Sequence, residues 1–233
     1  RHYAHGAKLP GHRRERMYIL HRLRAGLPNG RDQISRGDSM SNITSLMFAG
    51  VGGQGSLLIA ELTSLAAVSA GYDAKQTEVH GVSQRGGSVE THVRFGEKVH
   101  SPIVTPGEAL AVIGLEKLEA LRFAHYVDPK NGTVFINDYE LIPASVADAE
   151  KIYPHETVEY LKTKGLRVIV LPASKIARDL GDGRMANVVL LGALSTVLPI
   201  PQEIWDKTLK LRIPARFLEG NLKAYQAGRE MMS

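Results

Sequence analysis

Two stretches of the chain hold residue types that can do chemistry at useful spacing. The first is Gly50-Val51-Gly52-Gly53-Gln54-Gly55, which satisfies G-x-G-x-x-G. It follows an apolar run and opens a helical pattern, the context that motif requires. Glycines let a backbone turn tightly and approach a ligand. The first N–H groups of a helix have no internal partner and carry the positive end of its dipole. Together these features favour a phosphate or another anion. The second stretch is Glu78-Val79-His80-Gly81-Val82-Ser83-Gln84-Arg85-Gly86-Gly87-Ser88. It sets a carboxylate, an imidazole, an amide and a guanidinium among three glycines, far more than a solvated turn needs. Arg85 can pair with phosphate or carboxylate, and Gly86-Gly87 let the backbone come close to it.

These residues need elements to hold them. From Met40 onward, strand and helix patterns alternate. Ile43–Ala49 reads as an apolar strand, and a helix is expected from about Gln54 to Ser69. Leu58, Leu62, Leu65 and Ala66 line one face of that helix, and Gly71 ends it. A second strand is expected near Tyr72–Thr77, so residues from Glu78 onward read as loop. In Ser88–Phe95, Val89, Thr91, Val93 and Phe95 alternate with a polar face of Ser88, Glu90, His92 and Arg94. On that face His92 reads as an exposed strand or interface residue.

Further strands are expected at Ala109–Ile113, Thr133–Asn137 and Leu166–Leu171. Helices are expected near Glu116–His125, Ser174–Leu180, Met185–Leu198 and Pro214–Glu230. The pattern predicts an α/β, Rossmann-like three-layer domain with a mainly parallel sheet. In such a sheet both candidate loops leave the carboxyl ends of strands, where α/β folds bind ligands. The helix over Met185–Leu198 is apolar nearly all round, hence buried. Its small residues are expected to pack on the sheet.

Composition narrows the function. Residues 1–39 carry nine Lys and Arg against three Asp and Glu, whereas the other 194 residues carry 20 and 21. The basic balance therefore belongs to the N-terminal stretch, and no nucleic-acid partner is expected for the body. Met40 reads as the natural start, with residues 1–39 an upstream or expression-derived, largely disordered arm and 40–233 the working domain. The chain has no cysteine, which removes thiolate ligands for an iron–sulfur cluster or zinc. It also fits a cytoplasmic location. The longest apolar run, Val188–Leu198, is about half of the roughly 20 residues a membrane span needs.

GVGGQG, EVHGVSQRGGSVETHVRFG and the ANVVLLGALS of Ala186–Ser195 together resemble the gamma-type component of 2-oxoacid:ferredoxin oxidoreductases. The resemblance covers Met40–Ser233 and is carried chiefly by residues 78–88. Val82-Ser83 stands where the family pattern has Met-Ala, and residues 1–39 have no counterpart. The resemblance implies a complex that oxidatively decarboxylates a 2-oxoacid with coenzyme A and reduces ferredoxin. An aryl-pyruvate, indolepyruvate, is the expected substrate. Thiamine diphosphate, magnesium and 4Fe-4S clusters would reside in a large partner subunit, and this chain would have no catalytic residue or metal of its own. Its binding or interface residues would be Gly50, Gly52, Gly53, Gln54, Gly55, Glu78, His80, Ser83, Gln84, Arg85, Gly86 and Gly87.

Two alternatives stand beside that reading. A free-standing NAD(P)-binding enzyme would use Glu78 to hold a ribose. A scaffold subunit would use its glycines for packing alone. Gly181-Asp182-Gly183 begins like a thiamine diphosphate motif, but a helix precedes it and Asn187 follows too soon. It reads as a turn between helices.

Overall fold

The computed structural model describes residues 43–80, 87–141 and 153–233, with the side chain of His80 outside the description. The expectation of disorder over 1–39 lies outside the described residues. Six strands form one sheet: β1 (Thr44–Val51), β2 (Asp73–His80), β3 (Ser88–Gly96), β4 (Ala111–Gly114), β5 (Thr133–Asn137) and β6 (Arg167–Leu171). Their order is β2-β3-β1-β4-β5-β6. β3 is antiparallel to both β1 and β2, while β1, β4, β5 and β6 run parallel. Only β3 therefore runs against the rest, which is the mainly parallel sheet the sequence implies.

Helices cover both faces. They are α1 (Ser56–Ser69), α2 (Lys117–Phe123), α3 (Thr157–Thr163), α4 (Ala173–Asp179), α5 (Ala186–Ser195), α6 (Gln202–Arg212) and α7 (Ala215–Glu230). The period-two alternation of each strand sorts the core into two layers. Leu46, Phe48, Ile113 and Phe135 join Ile59, Leu62, Leu191, Trp205 and Tyr225 on one face. Met47, Val112, Val134 and Ile136 join Ala120, Val158 and Leu161 on the other. α3 and α6 have no counterpart in the sequence reading. α6 carries a usable signal: Pro201 at its N-cap, Glu203 in its first turn, Lys210 and Arg212 in its last.

Two expectations change and a third is extended. β2 continues through Glu78 to His80, so these two belong to a strand and the connection to β3 is shorter. α5 packs on the sheet as expected, but its small residue Gly192 serves a close contact with α7 as well: a Cβ on Gly192 would lie 2.0 Å from the Tyr225 carbonyl oxygen, and one on Gly228 1.9 Å from that of Val189. His92, expected exposed, is 2% exposed. The segment after β3 lies over that face: the Val104 N–H donates to His92 Nδ1 at 3.2 Å, and the Tyr126 ring meets the imidazole edge-on at 5.5 Å.

Burial holds the His92 ring neutral and its pKa below the ordinary 6.5, against a smaller opposing pull from Glu90. The unfolded chain therefore binds the proton more readily. Stability contributed by neutral His92 is full above pH 6.5 and is lost as pH falls below it. Urea midpoints at pH 7.5 and pH 5 should fall less for His92→Gln than for the wild type. Equal falls would show that this imidazole does not govern the acid response.

The candidate site at the carboxyl edge of the sheet

The glycine loop is folded by its own side chain. Gln54 turns back so that Oε1 accepts the Val51 N–H at 2.8 Å, and the Gln54 N–H donates to the Val51 carbonyl at 3.1 Å. A Cβ on Gly50 would stand 3.0 Å from that Oε1, so Gly50 makes room for the fold-back. The amide oxygen of Gln54 thus shapes the loop. Gly55 enters α1 in the left-handed region, at φ 83° and ψ 29°, and no side chain caps the helix. The first-turn N–H groups of this 14-residue helix are left for solvent or a ligand.

The second loop meets the first directly. The register pairs Val51 with Ser88 across β1 and β3, and His80 with Val89 across β2 and β3. The Gly52 N–H donates to the Gly87 carbonyl at 2.9 Å. Ends of β1 and β2 and the start of β3 therefore share one edge. Between them lies an open cleft of about 320 Å³, lined by Gly52, Gly53, Gly55, Ser56, Leu57, Glu78 and Val89. Gly52, Gly53, Gly55 and Glu78 are thus brought together, with Gly50, Gln54 and Gly87 supporting the loops. Ser83, Gln84, Arg85 and Gly86, and the side chain of His80, lie outside the described residues.

Sequence reasoning missed several contributors. Asn187, at the start of α5, donates from Nδ2 to the Gly55 carbonyl at 3.2 Å, and its buried Oδ1 has no partner among the described residues. Its position within the ANVVLLGALS segment was the available signal. Ser56 and Leu57 are the first residues of α1, and Val89 is the β3 residue paired with His80 on one side and Gly50 on the other.

Next along the edge, α2 starts with Glu116 as its cap, accepting the Glu119 N–H at 2.9 Å. Glu116 also accepts the Leu141 N–H at 3.1 Å and the Tyr153 hydroxyl. Burial first, then the Glu116 carboxylate, pushes the Tyr153 phenol up. Lys117 pairs with Asp138 at 2.8 Å and Glu140 at 3.1 Å. Burial alone would lower the Lys117 pKa, but those two carboxylates outweigh it and raise it.

The described residues do not fit a thiamine group, and the sequence does not fit a cysteine-held cluster. It has no cysteine to bind a cluster. Among the described residues, no three His, Asp or Glu are grouped as metal ligands. The Gly181–Gly183 turn has Gly181 at φ 101°, and hydrogen bonds from Arg184 occupy Asp182 and lower its pKa to about 2. No described helix is long and apolar enough to cross a membrane.

The strand order bears on the dinucleotide alternative. In the dinucleotide-binding fold the ribose acid ends the strand beside the first. Here β3 takes that place, and Glu78 reaches the cleft from the second strand out.

A family model described as pyruvate ferredoxin/flavodoxin oxidoreductase matches residues 45–231. The chain belongs to this family. It is 36% identical over 191 residues to the indolepyruvate oxidoreductase subunit IorB of Thermococcus kodakarensis, covering 79% of this chain and 93% of that protein. The corresponding subunit of Archaeoglobus fulgidus is 37% identical over 188 residues, with coverage of 79% and 92%. The keto/oxoacid ferredoxin oxidoreductase gamma subunit of Geobacter sulfurreducens shares the fold at a TM-score of 0.61 and 23% identity, covering 81% of this chain and 98% of that one. The chain is thus a gamma-type subunit of a 2-oxoacid:ferredoxin oxidoreductase. Family membership selects that role over a free-standing dinucleotide enzyme.

Proposed function

We propose that this chain, through residues 40–233, is the small subunit of a cytoplasmic indolepyruvate:ferredoxin oxidoreductase. Its glycine-loop cleft faces the reaction site of a large partner subunit and receives coenzyme A. The partner carries thiamine diphosphate, magnesium and 4Fe-4S clusters, and passes electrons to ferredoxin. Indolepyruvate is favoured by the similarity to indolepyruvate oxidoreductase subunits over nearly their whole length.

The observation that carries the reading of the cleft is the Gly52–Gly87 hydrogen bond. It joins the two family-bearing loops beside an uncapped helix end. In this reading a phosphate sits at the N–H groups of Ser56 and Leu57, with Arg85 as its counter-charge. Glu78 repels a phosphate and instead accepts from a hydroxyl or amide of the same ligand.

The test is reconstitution. Neither this chain nor the large subunit alone should reduce ferredoxin with indolepyruvate and coenzyme A; the mixture should.

A further inference from the structure

The β1–β3 ladder ends at Val51 and Ser88, and the Gly52–Gly87 bond lies just beyond it. A ladder end bordered by glycines opens readily unless something braces it. The brace comes from α2, on the opposite face of the sheet from α1. The Ser88 hydroxyl donates to Glu119 Oε2, while Oε1 accepts from Arg122 Nε at 3.2 Å. Glu119 is 4% exposed, although Arg122 on its outer side reaches solvent. A buried carboxylate is costly unless its oxygens are paired, and here each has a donor. Its own N–H is held by Glu116, which fixes the turn that carries it. The contacts run unbroken from α2 through Ser88 and Gly87 to Gly52.

We propose that Glu119 is a positioning residue that holds Gly87 against Gly52 of the glycine loop. Its hydrogen bonds go to Ser88, Arg122 and Glu116, so it acts on the loop end through Ser88. The consequence for coenzyme A rests on the function proposed above, whereas the effect on the loops does not.

The test uses amide exchange in the full chain and steady-state kinetics in the co-purified complex. Glu119→Ala and Ser88→Ala should each speed exchange at the Gly52 amide by at least about tenfold, the lower end of the weight of a hydrogen bond to a charged group. The core amide of Phe135 should stay unchanged. Glu119→Gln keeps an acceptor for Ser88 and should recover most of the protection. In the complex, Glu119→Ala should raise the KM for coenzyme A with kcat preserved, whereas loss of folded protein would lower kcat alone. An unchanged Gly52 amide in both alanine variants would overturn the role of Glu119. Faster Gly52 exchange with an unchanged KM would uphold it and remove the loops from the coenzyme A site.

Discussion

Gly228→Ala is expected to destabilise the chain by about 3 kcal/mol, the upper part of the range for overpacking a core. The added methyl would lie 1.9 Å from the Val189 carbonyl oxygen and 3.0 Å from the Ala193 nitrogen. Both are helix backbone, so no rotamer change relieves the clash; α5 and α7 must part. Parting them loosens a layer in which Val188, Val189, Leu191, Ala224 and Tyr225 are fully or nearly fully buried. It also strains the bond from the Tyr225 hydroxyl to Ser195 at 2.8 Å. Gly220→Ala on the same helix is the control. Its methyl meets the flexible Met185 thioether at 3.0 Å, and replacing a helical glycine gains up to about 1 kcal/mol of propensity. The urea midpoint should drop sharply for Gly228→Ala and hold or rise for Gly220→Ala. Similar midpoints in the two variants would contradict the close helix contact.

Gly55→Ala should act on the site itself. Gly55 sits at φ 83°, where an alanine costs about 1–2 kcal/mol. Its methyl would also lie 2.3 Å from Asn187 Nδ2, so Asn187 must release the Gly55 carbonyl. The entry of the chain into α1 then shifts, and with it the first-turn N–H groups that border the cleft. A displacement of about 1 Å at a positioned group can lower turnover about 100-fold. The reconstituted complex should therefore lose at least about tenfold in kcat/KM for coenzyme A. Gly71→Ala carries a similar backbone cost, at φ 93°, with nothing within 4 Å of the new methyl. It should lower stability and leave kinetics alone. Equal kinetic losses in both would show that the glycine-loop geometry is not what the complex reads.

The periodic elements of this fold were legible. Alternation over Ser88–Phe95 and the helical spacing of Leu58, Leu62 and Ala66 are local properties, and each marks its element. Sheet order is not local. Nothing in the residues of β3 says that it lies between β1 and β2, because that place is fixed by pairing partners on both sides. His92 misleads for the same reason: its neighbours Glu90 and Arg94 suggest solvent, but Val104 from the following segment and the Tyr126 ring lie against it. The glycine and Glu78 members of the cleft were legible from residue type. Asn187 reaches Gly55 from 132 positions away, and Glu119 reaches Ser88 from 31, so only the folded chain brings them in.

The most direct test of the account is a titration. The large subunit, purified without this chain, is mixed with increasing amounts of it, and ferredoxin reduction is followed with indolepyruvate and coenzyme A. Neither component alone should turn over, activity should rise to a sharp stoichiometric end point, and NAD or NADP in place of ferredoxin should add none. Full turnover by the large subunit alone, or ferredoxin reduction by this chain alone, would contradict it.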